Sequence, residues 1–160
     1  MISPMRNLGG NVTSFYAAAT NTTGTPIRIL AAGTGDNTAN TGASINRMVT
    51  NALLDSGVLQ IAWLAALGAN ETLALAVEYQ ESSDNSNWDT AVALQASTIV
   101  ATDSGSGSNM SGVTTFDIDL STKKQYIRFN FTPNLSRGAT DVAIAMAIFT
   151  AGGIKFSSLV

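Results

Sequence analysis

Five stretches of this chain alternate with a strict period of two, and that period limits what the chain can fold into. Residues that recur at every second position share one face of an extended strand, whereas a helix face recurs at about 3.6 residues. Leu73, Leu75, Val77 and Tyr79 fall on one face, and Ala74, Ala76, Glu78 and Gln80 on the other. Thr114, Phe116, Ile118 and Leu120 alternate with Thr115, Asp117 and Asp119. Gln125, Ile127, Phe129 and Phe131 alternate with Tyr126, Arg128 and Asn130. In Asp141–Thr150 the bulky set Val142, Ile144, Met146 and Ile148 opposes Ala143, Ala145, Ala147 and Phe149, so the bulky set is expected in the core.

The fifth stretch opens the most apolar part of the chain, Gly57–Val77. Gln60, Asn70, Glu71 and Thr72 interrupt it, so it lacks the ~20 continuous apolar residues of a membrane helix. With period two, Leu59, Ile61, Trp63, Ala65 and Leu67 form one face and Val58, Gln60, Ala62, Leu64 and Ala66 the other. Gly68–Glu71 then reads as a turn, which makes this strand and the one from Leu73 a hairpin candidate. The Ala and Leu content of Ser56–Leu67 keeps a helix as the competing reading.

Weaker strand signals cover Val12–Ala18, Pro26–Ala31, Ser44–Thr50 and Ala91–Ile99. About eight or nine short strands separated by turn residues predict an all-β chain. The expected architecture is a single antiparallel β-sandwich, jelly roll or barrel, with the jelly-roll sandwich preferred. The loops Gly33–Gly42, Glu81–Asn87 and Asp103–Gly112 are rich in Gly, Ser, Asn and Asp, the residues that tolerate tight turns. Residues 1–25 hold Gly9-Gly10 and a Thr/Asn-rich run with only one weak strand signal, and read as an extended N-terminal arm. Residues 26–160 then make up the sandwich domain.

Composition narrows the chemistry. With 8 Lys and Arg against 11 Asp and Glu, no basic field exists to attract nucleic acid or an anionic membrane. Only 12% of the residues are charged, where about 25% is ordinary, so the polar surface is built from Thr, Ser and Asn, and partner protein is expected over part of it. The chain has no His and no Cys, which removes the commonest general base, the commonest metal ligand and any disulfide. Met1–Arg6 lacks the basic-then-apolar pattern of a secretory signal, so synthesis and retention inside a cell, or release by lysis, are expected.

Each candidate site also has a plainer reading. Asp117 and Asp119 share a strand face and suit a carboxylate pair or a hard cation, but equally the solvated face of an outer strand. Glu81, Asp84, Asn85, Asn87 and Asp89 form an oxygen-rich loop without the spacing of a calcium loop. Gly33-Thr-Gly-Asp and Gly105-Ser-Gly lack the continuation that a phosphate loop needs. Without His or Cys, only Lys123, Lys124, Lys155 or a carboxylate could activate a nucleophile, so no enzyme, cofactor or metal is expected. Trp63 reads as core. Trp88 reads as a strand anchor or as a sugar-stacking platform. The alanines at 74, 76, 143, 145 and 147 offer a smooth uncharged face on which another subunit can approach closely.

Tyr79-Gln-Glu-Ser-Ser-Asp84 followed by Trp88, together with Tyr126-Ile-Arg-Phe129, Phe131-Thr-Pro-Asn-Leu-Ser136 and Gly138-Ala-Thr-Asp141, resembles the capsid-decorating (cement) proteins of tailed bacteriophages. The resemblance covers roughly residues 57–153. It implies a non-enzymatic jelly-roll protein, often a homotrimer, that sits on the outer capsid surface of the virion after synthesis in the host cytoplasm and bridges subunits of the major capsid protein. It carries over no catalytic, cofactor or metal residues. Two alternatives stand beside it. One is a different virion part, such as a head fibre base, tail-tube or head-completion protein. The other is a carbohydrate-binding module using Trp88.

Overall fold

A computed structural model describes residues 12–18, 29–31, 39–49, 52–137 and 140–155. Among these residues the regular structure is entirely β, in eleven strands. They are β1 Val12–Tyr16, β2 Ile29–Ala31, β3 Asn40–Thr41, β4 Ile45–Asn46, β5 Met48–Val49, β6 Ala52–Leu67, β7 Thr72–Ser82, β8 Val92–Thr102, β9 Ser108–Asp119, β10 Tyr126–Leu135 and β11 Val142–Lys155. The all-β, antiparallel sandwich expected from the periodicity is what forms, and Ser56–Leu67 is strand rather than helix. Within the segment read as an arm, Val12–Tyr16 pairs with Tyr16 opposite Ile148 and Val12 opposite Gly152. The rest of residues 1–25, apart from 17 and 18, lies outside the described residues, as do most of Gly33–Gly42 and the start of Pro26–Ala31.

Each of the two sheets is four columns wide. In the first, β11 lies between β1 and β2 on one side and β6 on the other, and β6 is flanked in turn by β5 and β9. In the second, β10 lies between β3 and β4 on one side and β7 on the other, and β8 is the far edge. Pro133 has no N–H to donate, and on the β3 side the pairing of β10 stops at Phe131, so the ring breaks no ladder there.

The expected hairpin from β6 to β7 does not form. The Gly68–Glu71 turn is present, with Asn70 at φ 62° and Glu71 N–H donating to Gly68 O at 3.1 Å, but it carries the chain from one sheet to the other. The reason is that both strands have a strongly apolar face. Leu59, Ile61, Ala65 and Leu67 are buried against Leu73, Leu75, Val77 and Tyr79 across the core, an arrangement that side-by-side pairing would not allow. The chain changes sheets again between β8 and β9, β9 and β10, and β10 and β11, so only β7 and β8 form a hairpin among the long strands.

β11 also corrects the sequence reading. Ala143, Ala145, Ala147, Phe149 and Ala151 are the buried set, while Val142, Met146 and Ile148 are exposed. Phe149 decides the phase. It is fully buried, packed 5.1 Å from Phe129 between ring centroids, and its alanine neighbours share its face. The volume opposite those alanines is already filled by Ile61 and Trp63 of β6, which pair with Ala147 and Ala145, so a close-packed interior leaves β11 room only for methyl groups.

Candidate functional site

The outer faces of the two sheets differ in chemistry. The second sheet turns Glu78, Gln80, Arg128 and Asn130 outward in adjacent pairs, Arg128 opposite Gln80 and Asn130 opposite Glu78. Arg128 Nε and Asn130 Nδ2 both donate to Gln80 Oε1, at 3.0 and 3.2 Å, and Gln80 Nε2 donates to the Asp89 carbonyl at 2.9 Å. The Arg128 guanidinium lies 4.1 Å over the Trp88 ring, and desolvation lowers its pKa. One face of Trp88 is therefore occupied by a cation, which leaves less of the ring for stacking on a sugar. Ala74 and Ala76 do point outward on this sheet, beside Asn134 and Thr132.

The first sheet turns an apolar face outward. Its rows read Tyr16, Ile148, Gln60, Thr115; then Met146, Ala62, Val113; then Ile144, Leu64, Ser111; then Val142, Ala66, Asn109. Val113 is 63% exposed, Leu64 52% and Met146 50%. From the Gln60–Ile148 row to the Ala66–Val142 row these strands contain no charged residue. The charges on β6 and β9 gather at one end, at Asp55, Asp117 and Asp119. Beside them a shallow groove of about 780 Å³ is lined by Val12, Ser56, Val58, Asp117, Thr150 and Gly152 among others. Sequence reasoning missed this face because it placed the bulky residues of β11 inward. The signal available was Phe149, in phase with the alanines.

Most of the carboxylates singled out by sequence already accept hydrogen bonds or ion pairs within the fold. Asp117 and Asp119 are exposed on β9, and Asp119 Oδ1 accepts the Ser121 N–H at 2.9 Å. In the oxygen-rich loop, Asp84 Oδ1 accepts Ser82 Oγ–H, Ser86 N–H and Asn87 N–H at 3.0, 2.9 and 2.8 Å, and Oδ2 accepts Asn87 Nδ2 at 2.7 Å. These bonds, the Asn87 backbone bond foremost, hold its carboxyl well below the usual range. Asn85 accepts from Ser44 Oγ, Glu81 Oε2 accepts Lys124 N–H at 2.8 Å, and Asp89 pairs with Lys124 Nζ at 2.7 Å. The loop fastens neighbouring segments to each other. Among the described residues no group of three or more His, Cys, Asp or Glu side chains could hold a metal ion.

Lys123 donates to Tyr79 Oη at 2.7 Å and pairs with Glu81 at 3.3 Å, and its pKa is raised, first by the Tyr79 bond. A nucleophilic lysine needs the opposite shift. Lys124 is tied to Asp89, and the Lys155 side chain lies outside the described residues. Trp63 projects inward and its ring fills the space over Gly112, while Trp63 Nε1 is buried without an acceptor.

Three polar groups that sequence reasoning did not single out brace the ends of the sandwich. Arg47, almost fully buried between β4 and β5, donates Nε to Lys124 O and Nη1 to Leu54 O and Leu120 O, each at 2.7 Å. At the opposite end, Asp103 accepts N–H groups of Gly105 and Gly107 at 2.8 and 3.0 Å and Ser108 Oγ–H at 2.6 Å. Those bonds, Ser108 foremost, lower its pKa to about 2. Asp141 Oδ1 accepts Gly68 N–H at 2.9 Å. All three serve main-chain groups, which a single sequence does not reveal.

No family model and no curated protein sequence matches the chain. Solved structures do resemble it. A structure of the infectious bursal disease virus Gx strain aligns with a TM-score of 0.50 at 12% identity, over 93% of this chain and 34% of that one. The D431N mutant VP2 protein of the same virus, in derived T=1 particles, aligns with a TM-score of 0.50 at 12% identity, over 88% of this chain and 31% of that one. A family 16 carbohydrate-binding module aligns with a TM-score of only 0.32. The chain thus spans about a third of the viral chains, and at this identity the likeness is one of fold alone, an antiparallel β-sandwich of the jelly-roll type.

Proposed function

We propose that the protein is a non-enzymatic structural component of a virion that decorates a bacteriophage capsid as a trimer on its outer surface, bridging neighbouring subunits of the major capsid protein after synthesis in the host cytoplasm. The observation that carries the reading is the contrast between the uncharged, largely apolar rows from Gln60–Ile148 to Ala66–Val142 on one sheet and the polar, cross-bonded Glu78, Gln80, Arg128 and Asn130 on the other. Such a sandwich has one side suited to dry protein contact and one suited to water. The occurrence of the same fold in infectious bursal disease virus particles is in keeping with it, as is the resemblance of segments within 79–141 to phage cement proteins. Repetition on a symmetric lattice lets each contact be modest, because many copies add avidity.

In this reading the residues ahead of β1, positions 1–11, reach across a joint between capsid subunits. β1 itself belongs to the first sheet, so its removal would strip a strand from β11. The test is co-sedimentation with empty shells assembled from the major capsid protein encoded in the same genome. Full-length protein is expected to travel with the shells at a fixed ratio, and a variant lacking residues 1–11 to stay behind while keeping its β-rich circular dichroism. Full-length protein that remains at the top of the gradient overturns the reading.

A further inference from the structure

We infer that the free edge of β9 takes up an extended segment of a capsid subunit as one more strand of the first sheet. This rests on the capsid reading above and names the surface through which that partner is held.

The edges of the sandwich are not equivalent. On the first sheet β1 and β2 make one edge in two short pieces, and on the second β3 and β4 do the same. β8 is long, but its register on β7 shifts between Leu73 and Ala74, between Leu75 and Val77, and between Val77 and Glu78. Such irregularity blunts an edge against further pairing. β9 has no such protection. It runs for twelve residues in unbroken register on β6, from Ser108 opposite Leu67 to Asp119 opposite Ser56, and contains neither Pro nor Lys. Every second residue of an antiparallel edge strand turns both its N–H and its C=O away from the neighbour. Among the described residues no backbone group bonds to that outer side of positions 109–118.

The core is also open along this flank. β9 lies over β8, each the outermost long strand of its sheet. Met110 and Phe116 of β9, with Leu94 and Val100 of β8, pack on the core yet remain only half-buried. Trp63, whose ring lies over Gly112 of β9, is half-buried with them. On the opposite flank Ala17 and Ile45 are buried. A strand added to β9 pairs the free backbone groups and covers the open flank together.

The side chains along the edge specify the occupant. Inward positions of the added strand lie beside Met110, Thr114 and Phe116, which suits apolar residues. Outward positions lie beside Val113, Thr115 and Asp117. Asp117 is exposed and pairs with no cation among the described residues. Opposite charges on facing strand positions attract, so the segment alternates apolar with polar residues and carries a Lys or Arg at the end beside Asp117.

The test is hydrogen–deuterium exchange across Ser108–Asp119, in the free protein and on empty shells assembled from the major capsid protein encoded in the same genome. The edge amides are expected to exchange readily in solution and to lose most of that exchange on shells. Thr114→Lys, which places an inward charge on the edge, is expected to abolish shell binding with an unchanged circular dichroism spectrum. Asp117→Lys, at an exposed position, is expected to bind about two- to fivefold more weakly. Thr98→Lys, the same change of charge on exposed β8, is expected to bind like the wild type. Shell-bound protein whose Ser108–Asp119 amides exchange as before overturns the inference and leaves the capsid reading standing, whereas no binding at all overturns both. Amides already protected in the free protein overturn it too, since the chain's own ends or a second copy then hold the edge. So does an Asp117→Lys protein that binds as tightly as the wild type, or a Thr98→Lys protein that fails as Thr114→Lys does.

Discussion

The Phe149 ring occupies the space that a side chain on Gly57 would need: the two residues are diagonal neighbours on β11 and β6, and a Cβ at position 57 would overlap the end of the ring. Glycine is required there by close approach rather than by backbone conformation. Gly57→Ala is expected to cost about 1–3 kcal/mol, the usual penalty for overpacking. Urea denaturation measures it, and combining Gly57→Ala with Phe149→Leu should recover part of the loss, since residues in contact do not add.

Arg47 joins three main-chain carbonyls, of which Leu120 O also accepts the Lys123 N–H at 3.0 Å. Arg47→Ala removes all three guanidinium hydrogen bonds to these carbonyls, and a loss of about 1–3 kcal/mol is expected. Arg47→Lys keeps the charge but not the planar fork, so an intermediate loss is expected. A lysine variant as stable as the wild type, by thermal or chemical unfolding, would count against the clasp.

Asp103 gives the fold an acid sensitivity with a definite sign. Its carboxyl is lowered to about 2 in the folded protein, against an unfolded value of ~3.9. Its contribution is therefore complete above pH ~4 and is lost as the pH falls through the folded value. Stability followed from pH 5 to pH 2 should decline in the wild type and decline less steeply in Asp103→Asn. The residual slope belongs in part to Asp84, whose carboxyl is lowered further.

Trp63 separates shape from hydrogen bonding. Its indole N–H is buried with no acceptor, so Trp63→Phe removes an unpaired donor along with some volume and is expected to change stability by less than about 1.5 kcal/mol. Trp63→Ala empties the space over Gly112 and should cost about 3 kcal/mol, near the low end for such truncations because the ring is only half-buried. Equal losses in the two variants would show that the indole nitrogen matters more than the packing.

The strands were legible where only one face could be core. In β9 and β10, Phe116, Ile118, Phe129 and Phe131 oppose Asp117, Arg128 and Asn130, and the structure buries the side that the alternation indicates. β11 was misread because both of its faces are apolar. Size alone favoured Val142, Met146 and Ile148 for the interior, but the volume beside Trp63 and Ile61 belongs to the partner strand, which a single strand's pattern does not carry. The β6–β7 turn was located correctly, yet whether a turn pairs its strands or moves the chain between sheets depends on which face each strand must bury. Arg47, Asp103 and Asp141 went unseen because most of their partners are peptide groups, present at every position. Of the oxygen-rich loop, the sequence supplied the acceptors but not the donors that already fill them.

The place of β11 in the first sheet sets an order of events during synthesis. It is an inner strand, bonded to β1 and β2 from the start of the chain and to β6 from its middle. Contacts between such distant segments form slowly, because a long loop must close first. Until Val142–Lys155 has left the ribosome, β6 has a bare edge and the row of Ile148, Met146 and Val142 does not exist. A nascent chain therefore cannot display a finished outer face until its last strand is in place.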